Sequence, residues 1–183
     1  MRYELIRSRR KTVAAQVKDG KLVVRAPLFM SRRDIDAFLE MNSARIERMM
    51  EKARAREREL AEAEKLTEGE LADLVKRGKE VFPERAAHYA RLIGVDFGRI
   101  SVRKQRTRWG SCSPKGDLSF NCLLLLAPPE VLDSVVVHEL CHRKRMDHSK
   151  RFYDEVLRVF PDYRECRKWL NEHGPKLLAK LEK

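Results

Sequence analysis

His138, Glu139 and His142 form the pattern H-E-x-x-H, and His148 stands six residues beyond it. Residues four apart on a helix lie one above the other. The two imidazoles can therefore grip one metal ion from a shared face, with Glu139 about 100° round the helix. Imidazole nitrogens are zinc donors, and three of them leave a fourth tetrahedral position open to water. Zinc lowers the pKa of such a water toward about 7 and polarises a carbonyl or phosphoryl oxygen. A carboxylate beside it acts as general base and later returns the proton to the leaving group. The expectation is one Zn2+ ion, ligands His138 and His142, and Glu139 as the catalytic base rather than a ligand.

The third ligand has two candidates. His148 lies ten residues after His138, the interval found in H-E-x-x-H-x-x-G-x-x-H enzymes. Arg145 replaces that motif's glycine and no methionine follows for a Met-turn, so a metzincin proper is not expected. Glu155 competes, as a carboxylate from the next helix. His148 is preferred. Asp147 reads either as a surface turn carboxylate, the commoner case, or as a group that orients a histidine, and Arg108, Tyr153, Tyr163 and His173 are candidate donors to an oxyanion. His88 reads as an ordinary surface or packing histidine, which is also the bland reading of His173.

These residues need a scaffold. Residues 3–27 read as a β-hairpin: Tyr3–Ile6 opens it, Thr12–Val17 and Lys21–Arg25 pair, and Asp19-Gly20 is the turn. Ser31 begins a helix that Asn42-Ser43 divides. Residues 51–65 are nearly all Ala, Arg, Glu and Lys, the composition of a solvated helix. Thr67-Glu68-Gly69-Glu70 starts another, interrupted before Pro83 and stopped at Gly94. Arg99–Lys104 alternates as a strand, and Thr107–Cys112 with Leu118–Leu123 reads as a second hairpin around Pro114-Lys115-Gly116-Asp117, the second strand running to Leu125 on its apolar pattern. A helix over Glu130–Arg145 carries the metal motif. Ser149 caps the next, stopped at Pro161, and a last helix from Asp162 ends at Gly174-Pro175. The expected division is a hairpin and charged helix over 1–66 and a catalytic domain over 67–183.

The chain has 183 residues, 43% of them hydrophobic, which suffices for a core. No apolar run approaches the roughly 18–20 residues of a membrane span, and the N-terminus lacks the apolar stretch of a secretory signal. Four cysteines without a C-x-x-C pair read as reduced thiols, so a cytoplasmic protein is expected. The net charge of +12 favours an acidic partner, a nucleic acid or a nucleotide. Arg103, Lys104, Arg106 and Arg108 concentrate cations beside Trp109. They read either as a phosphate- or substrate-facing rim with Trp109 for stacking, or as a basic edge strand with Trp109 in the core.

Arg108-Trp109-Gly110-Ser111-Cys112, Leu118-Ser119-Phe120-Asn121, the His138–His142 motif and His148-Ser149-x-x-Phe152 together resemble the YgjP-like metallopeptidase family, a relative of SprT-like and WLM zincins. Arg7–Thr12 and Val24–Pro27 also fit, and residues 51–65 fit least. The resemblance implies an α+β fold with a minimal zincin-like core, a small antiparallel sheet packed on the H-E-x-x-H helix. It also implies zinc on His138, His142 and His148, Glu139 as base, and a protein or peptide substrate; Arg108, Trp109 and Tyr153 are read, from their types and positions, as candidate substrate or oxyanion contacts. SprT-like relatives act on proteins crosslinked to DNA, which would suit the basic charge. Two further readings stand beside a peptidase. One is a metal-dependent nucleoside triphosphate hydrolase. The other is a nucleic-acid-associated binding module, which would have no need of Glu139.

Overall fold

Leu22, Val23 and Val24 are buried in succession, the requirement of a strand covered on both faces. In the computed structural model, which describes residues 2–18 and 20–181, that strand is central. β1 (Glu4–Ser8), β2 (Ala14–Lys18) and β3 (Lys21–Pro27) form a sheet of order β1-β3-β2. The β2–β3 pair is the expected antiparallel hairpin. Its turn includes Asp19, which lies outside the described residues; Gly20 has φ 69°. The segment expected to open the hairpin instead pairs parallel with β3, from Glu4↔Val23 to Ser8↔Pro27. β3 is thus the central strand, with a backbone partner on each edge and its apolar side chains buried on both faces.

Helices α1 (Arg32–Met41) and α2 (Ser43–Ala61) follow, divided at Asn42 as expected. The Ser31 hydroxyl caps α1 by accepting from the Asp34 N–H. Ile35, Leu39 and Ile46 pack with Leu22, Val24 and Ala26 into a core of their own, while the rest of α2 is largely solvated. Residues Met1–Glu62 make one compact unit and Ala63–Lys183 a second.

The second unit opens with α3 (Glu68–Ile93), whose start is a complete capping box between Thr67 and Glu70. The expected interruption before Pro83 does not occur. The hydrogen bond that proline removes is outweighed by burial on both sides of it: Phe82 stacks on Phe120 at 4.7 Å between centroids, and Ala86 is fully buried. Gly94 ends the helix in the left-handed conformation.

A second sheet combines β4 (Ile100–Arg103), β5 (Gly110–Cys112) and β6 (Leu118–Asn121) in the order β4-β6-β5. β5–β6 is antiparallel, but β4 runs parallel to β6, so the sheet is mixed rather than purely antiparallel. The strand expected to reach Leu125 stops at Asn121 and becomes a 3₁₀ turn over Cys122–Leu126. Asn121 causes the change: its side-chain oxygen accepts from Leu123 N–H, and its amide donates to the carbonyls of Gln105 and Arg108. One buried side chain thus ends a strand and anchors the loop before β5.

α4 (Pro129–Cys141) is the centre of this unit. Every residue from Val131 to Val137 and from Glu139 to Cys141 is buried, leaving His138 half-exposed. It packs with Phe82, Phe120, Leu124, Phe152 and Val156 in the main core. The helix ends at Cys141, four residues earlier than expected. α5 (Lys150–Val159), capped by Ser149, and α6 (Tyr163–Ala179) complete the fold. α6 continues through Gly174-Pro175, because Gly174 is a packing contact here rather than a stop: a Cβ on it would meet the Trp109 ring at 2.8 Å. Among the described residues, no helix is long and apolar enough to cross a membrane.

Candidate active site

His138 points out of the buried helix α4 at the position where a core-facing pattern would demand an apolar residue. One turn on, the chain leaves the helix. Arg143 N–H bonds back to Leu140, Lys144 and Arg145 N–H to Cys141, and the Arg145 carbonyl turns toward the His142 ring, 3.0 Å from Nδ1. Ending α4 here lets the following loop double back, and His148 arrives with its Nε2 3.2 Å from His138 Nε2. One ligating atom from each of His138, His142 and His148 lies within 4.8 Å of the others, and this is the one such group among the described residues.

The donor set fits a metal ion. Tetrahedral zinc with nitrogens at roughly 2.0–2.1 Å separates its ligand atoms by about 3.3 Å, close to the His138–His148 spacing. His142 Nδ1 donates to the Arg145 carbonyl, which leaves Nε2 as its lone-pair nitrogen. His138 Nδ1 lies 2.8 Å from the Tyr163 hydroxyl, so its Nε2 is likewise directed to the cluster. Burial, then the neighbouring His142 and His148, push the His138 pKa down to about 3. Burial and His148 also lower that of His142, against the pull of the Arg145 carbonyl. Both rings are thereby kept neutral, the form that binds a metal.

Glu139 is 6% exposed and has no ion pair among the described residues. Burial raises its pKa to about 7, opposed by the charge of Arg108. It fits because β5 begins with glycine: a Cβ on Gly110 would lie 2.7 Å from Glu139 Cγ and Oε1. Gly110 is the least obvious part of the site in the sequence, since a glycine at a strand start is usually a turn signal.

His138 and Glu139 open into a cleft of about 280 Å³. One wall is Thr107, Arg108, Trp109 and Gly110; the other is Tyr163, Arg167, Leu170 and Asn171 of α6. Arg108 is exposed. Trp109 is half-buried and also packs against the core clusters and Gly174, so the core reading and the cleft reading both describe it. Tyr153 does not line the cleft. Its hydroxyl accepts from Arg167, 3.1 Å away, and its ring lies 6.1 Å from that of His148. Arg103, Lys104 and Arg106 are exposed and are not among the lining residues; Lys104 pairs with Glu68.

Glu155 is turned away from the histidines. It bridges Lys144 and Arg158, which hold its pKa down to about 2, with Arg158 the stronger influence. Asp147 accepts from the Ser149 N–H rather than from a histidine. His173 packs on Trp169, and His88 on Tyr89. Tyr163, one of several candidate donors in the sequence, is distinguished by its contact with His138. Arg167 carried no signal beyond its charge.

A model of the YgjP-like metallopeptidase domain matches residues 62–173, more than half of the chain. Among curated proteins, none matches. The chain is similar to the crystal structure of the metallopeptidase zymogen of Pyrococcus abyssi abylysin at 22% identity, with a TM-score of 0.46 over 50% of this chain and 94% of that one. The three-histidine group, the buried glutamate beside it and the family match over the segment that contains them agree: this chain belongs to the YgjP-like metallopeptidase family.

Proposed function

We propose that the protein is a zinc-dependent peptidase whose catalytic domain spans residues 67–183. In this reading His138, His142 and His148 hold one Zn2+ and Glu139 is the general base. The observation that carries it is the convergence of three imidazoles within 4.8 Å at the edge of a cleft walled by a buried carboxylate. Bound there, the ion contributes Lewis acidity, acidifying water and polarising a peptide carbonyl.

The protein's own groups do the rest. A glutamate whose pKa is about 7 accepts a proton readily near neutrality and gives it up as readily to a leaving amine. Gly110 keeps that carboxylate against β5. The Arg145 carbonyl holds the His142 ring in one tautomer, and the Tyr163 hydroxyl orients the His138 ring. Arg108, Trp109 and Tyr163 are the groups nearest to a peptide laid along the cleft. The four cysteines are free, which suits a reducing, cytoplasmic setting.

The test pairs metal analysis with turnover on unstructured protein substrates and a nucleotide panel. The wild type is expected to bind one zinc per chain, His138→Ala to lose it, and Glu139→Gln to keep it while peptide hydrolysis disappears. Stoichiometric zinc missing from the wild type, undiminished hydrolysis by Glu139→Gln, or turnover of nucleotides alone would overturn the proposal.

A further inference from the structure

We infer that the cleft beside Glu139 selects peptides bearing a carboxylate close to the cleaved bond, read by Arg108 on one wall and Arg167 on the other. This inference rests on the peptidase reading and names its substrate class. Tyr163, Arg167, Leu170 and Asn171 recur at spacings of four, three and one, which gathers them on one face of α6. That face and the segment entering β5 enclose the cleft, so a guanidinium stands on each side.

The charge on these two arginines is not cancelled. The Arg108 side chain is exposed and has no hydrogen-bond or ion-pair partner among the described residues, and its field reaches Glu139. Arg167 is held in place by the Tyr153 hydroxyl and lies over the Tyr153 ring, 5.7 Å from its centroid. Both contacts are neutral, so they orient the guanidinium and leave its charge available. Other cations of the same unit are committed: Arg85 to Asp133, Arg143 to Asp96, Lys144 and Arg158 to Glu155.

Glu139 is the one carboxylate among the lining residues, and it is buried. An incoming lysine or arginine would meet two like charges. A carboxylate would meet two planar donor forks, the geometry that guanidinium binds bidentately. Trp109, Val135 and Leu170 supply apolar surface for the methylenes beside such a group. Selection then works by attraction and repulsion together.

The experiment measures binding apart from catalysis, by fluorescence anisotropy of labelled peptides on metal-free protein and on Glu139→Gln. Peptides blocked at both ends and differing only in Glu or Gln test a side-chain carboxylate. Gln peptides with a free C-terminus test a terminal one. Acidic peptides are expected to bind about tenfold tighter than neutral ones at low salt, with the gap narrowing as salt rises. Arg108→Gln and Arg167→Gln should each reduce the gap several-fold, and Arg167→Glu should turn it toward Lys peptides. Arg77→Gln, an exposed arginine of α3, should leave it intact. Equal binding of acidic and neutral peptides, a gap that survives in the Arg108→Gln/Arg167→Gln double variant, or tighter binding of a nucleoside triphosphate than of any carboxylate peptide would overturn the inference. Hydrolysis indifferent to charge would sink this inference and leave the peptidase reading standing. Charge-selective binding without hydrolysis of any peptide would do the reverse.

Discussion

Replacing Gly110 by alanine tests the packing of the site more sharply than removing any of its polar groups. The new methyl carbon would start 2.7 Å from both Glu139 Cγ and Oε1. Ordinary carbon contacts begin near about 3.5 Å, so the carboxylate must retreat by most of an ångström. β5 has little room to yield, because Gly110 is paired with Phe120 in the sheet, and Phe120 is fully buried. Overpacking of this kind costs about 1–3 kcal/mol. For a unit of this size that corresponds to a fall in Tm of roughly 4–12 °C by thermal scan. A displacement of about 1 Å at a catalytic group costs on the order of a hundredfold in rate. The expected outcome is therefore a kcat for peptide hydrolysis reduced about a hundredfold, with zinc content unchanged because the atoms nearest the new methyl all belong to Glu139. Gly94→Ala is the contrasting control. There φ is 77° and a Cβ meets nothing within 4 Å, so backbone strain of about 1–2 kcal/mol should lower Tm and leave kcat alone. A Gly110→Ala protein with wild-type kcat and Tm would refute the argument that β5 positions Glu139.

Three further outcomes follow from the contacts described. Tyr163→Phe removes the hydroxyl 2.8 Å from His138 Nδ1, and zinc affinity measured by chelator competition should weaken about 10–100-fold; unchanged affinity would show that the contact does not orient the ligand. Asp133→Asn loosens a buried carboxylate that binds both Arg85 and the Tyr89 hydroxyl, joining α3 to α4. Denaturant unfolding should reveal a loss of about 1.5–3 kcal/mol, and no loss would mean the network is dispensable. The neighbouring Arg158 and Lys144 hold the Glu155 pKa down to about 2 in the fold, against an ordinary 4.5. A depressed carboxylate pKa stabilises the folded state above the unfolded pKa, and that stability is lost as pH falls from about 4.5 through about 2, by at most about 3 kcal/mol. Glu155→Gln should flatten that part of the acid limb in a stability-against-pH series, and an unchanged limb would contradict the assignment.

Much of this protein was legible in local pattern. The H-E-x-x-H spacing, the Thr67–Glu70 capping box, the Ser31 and Ser149 caps, the stop at Gly94 and the division at Asn42 all depend on neighbours within a few residues, and physics of that range is written directly in the sequence. What depended on packing was not. The path of α3 through Pro83 and of α6 through Pro175 was decided by the buried contacts of Phe82, Ala86 and Gly174, which outweigh a lost backbone hydrogen bond. The parallel pairings of β1 with β3 and β4 with β6 join segments far apart in the chain, and strand alternation carries no information about direction. The end of β6 depended on the Asn121 side chain finding the carbonyls of Gln105 and Arg108. The same division runs through the site. The sequence by itself determined that two imidazoles and a carboxylate sit together, because the spacing of His138, Glu139 and His142 is a property of one helix. Only the tertiary structure decided their setting: the loop after His142 that brings His148 to 3.2 Å, the Tyr163 hydroxyl arriving from α6, and the absent side chain of Gly110. Each of these joins separate elements at contact distance, and contact distance between separate elements is set by the core they share.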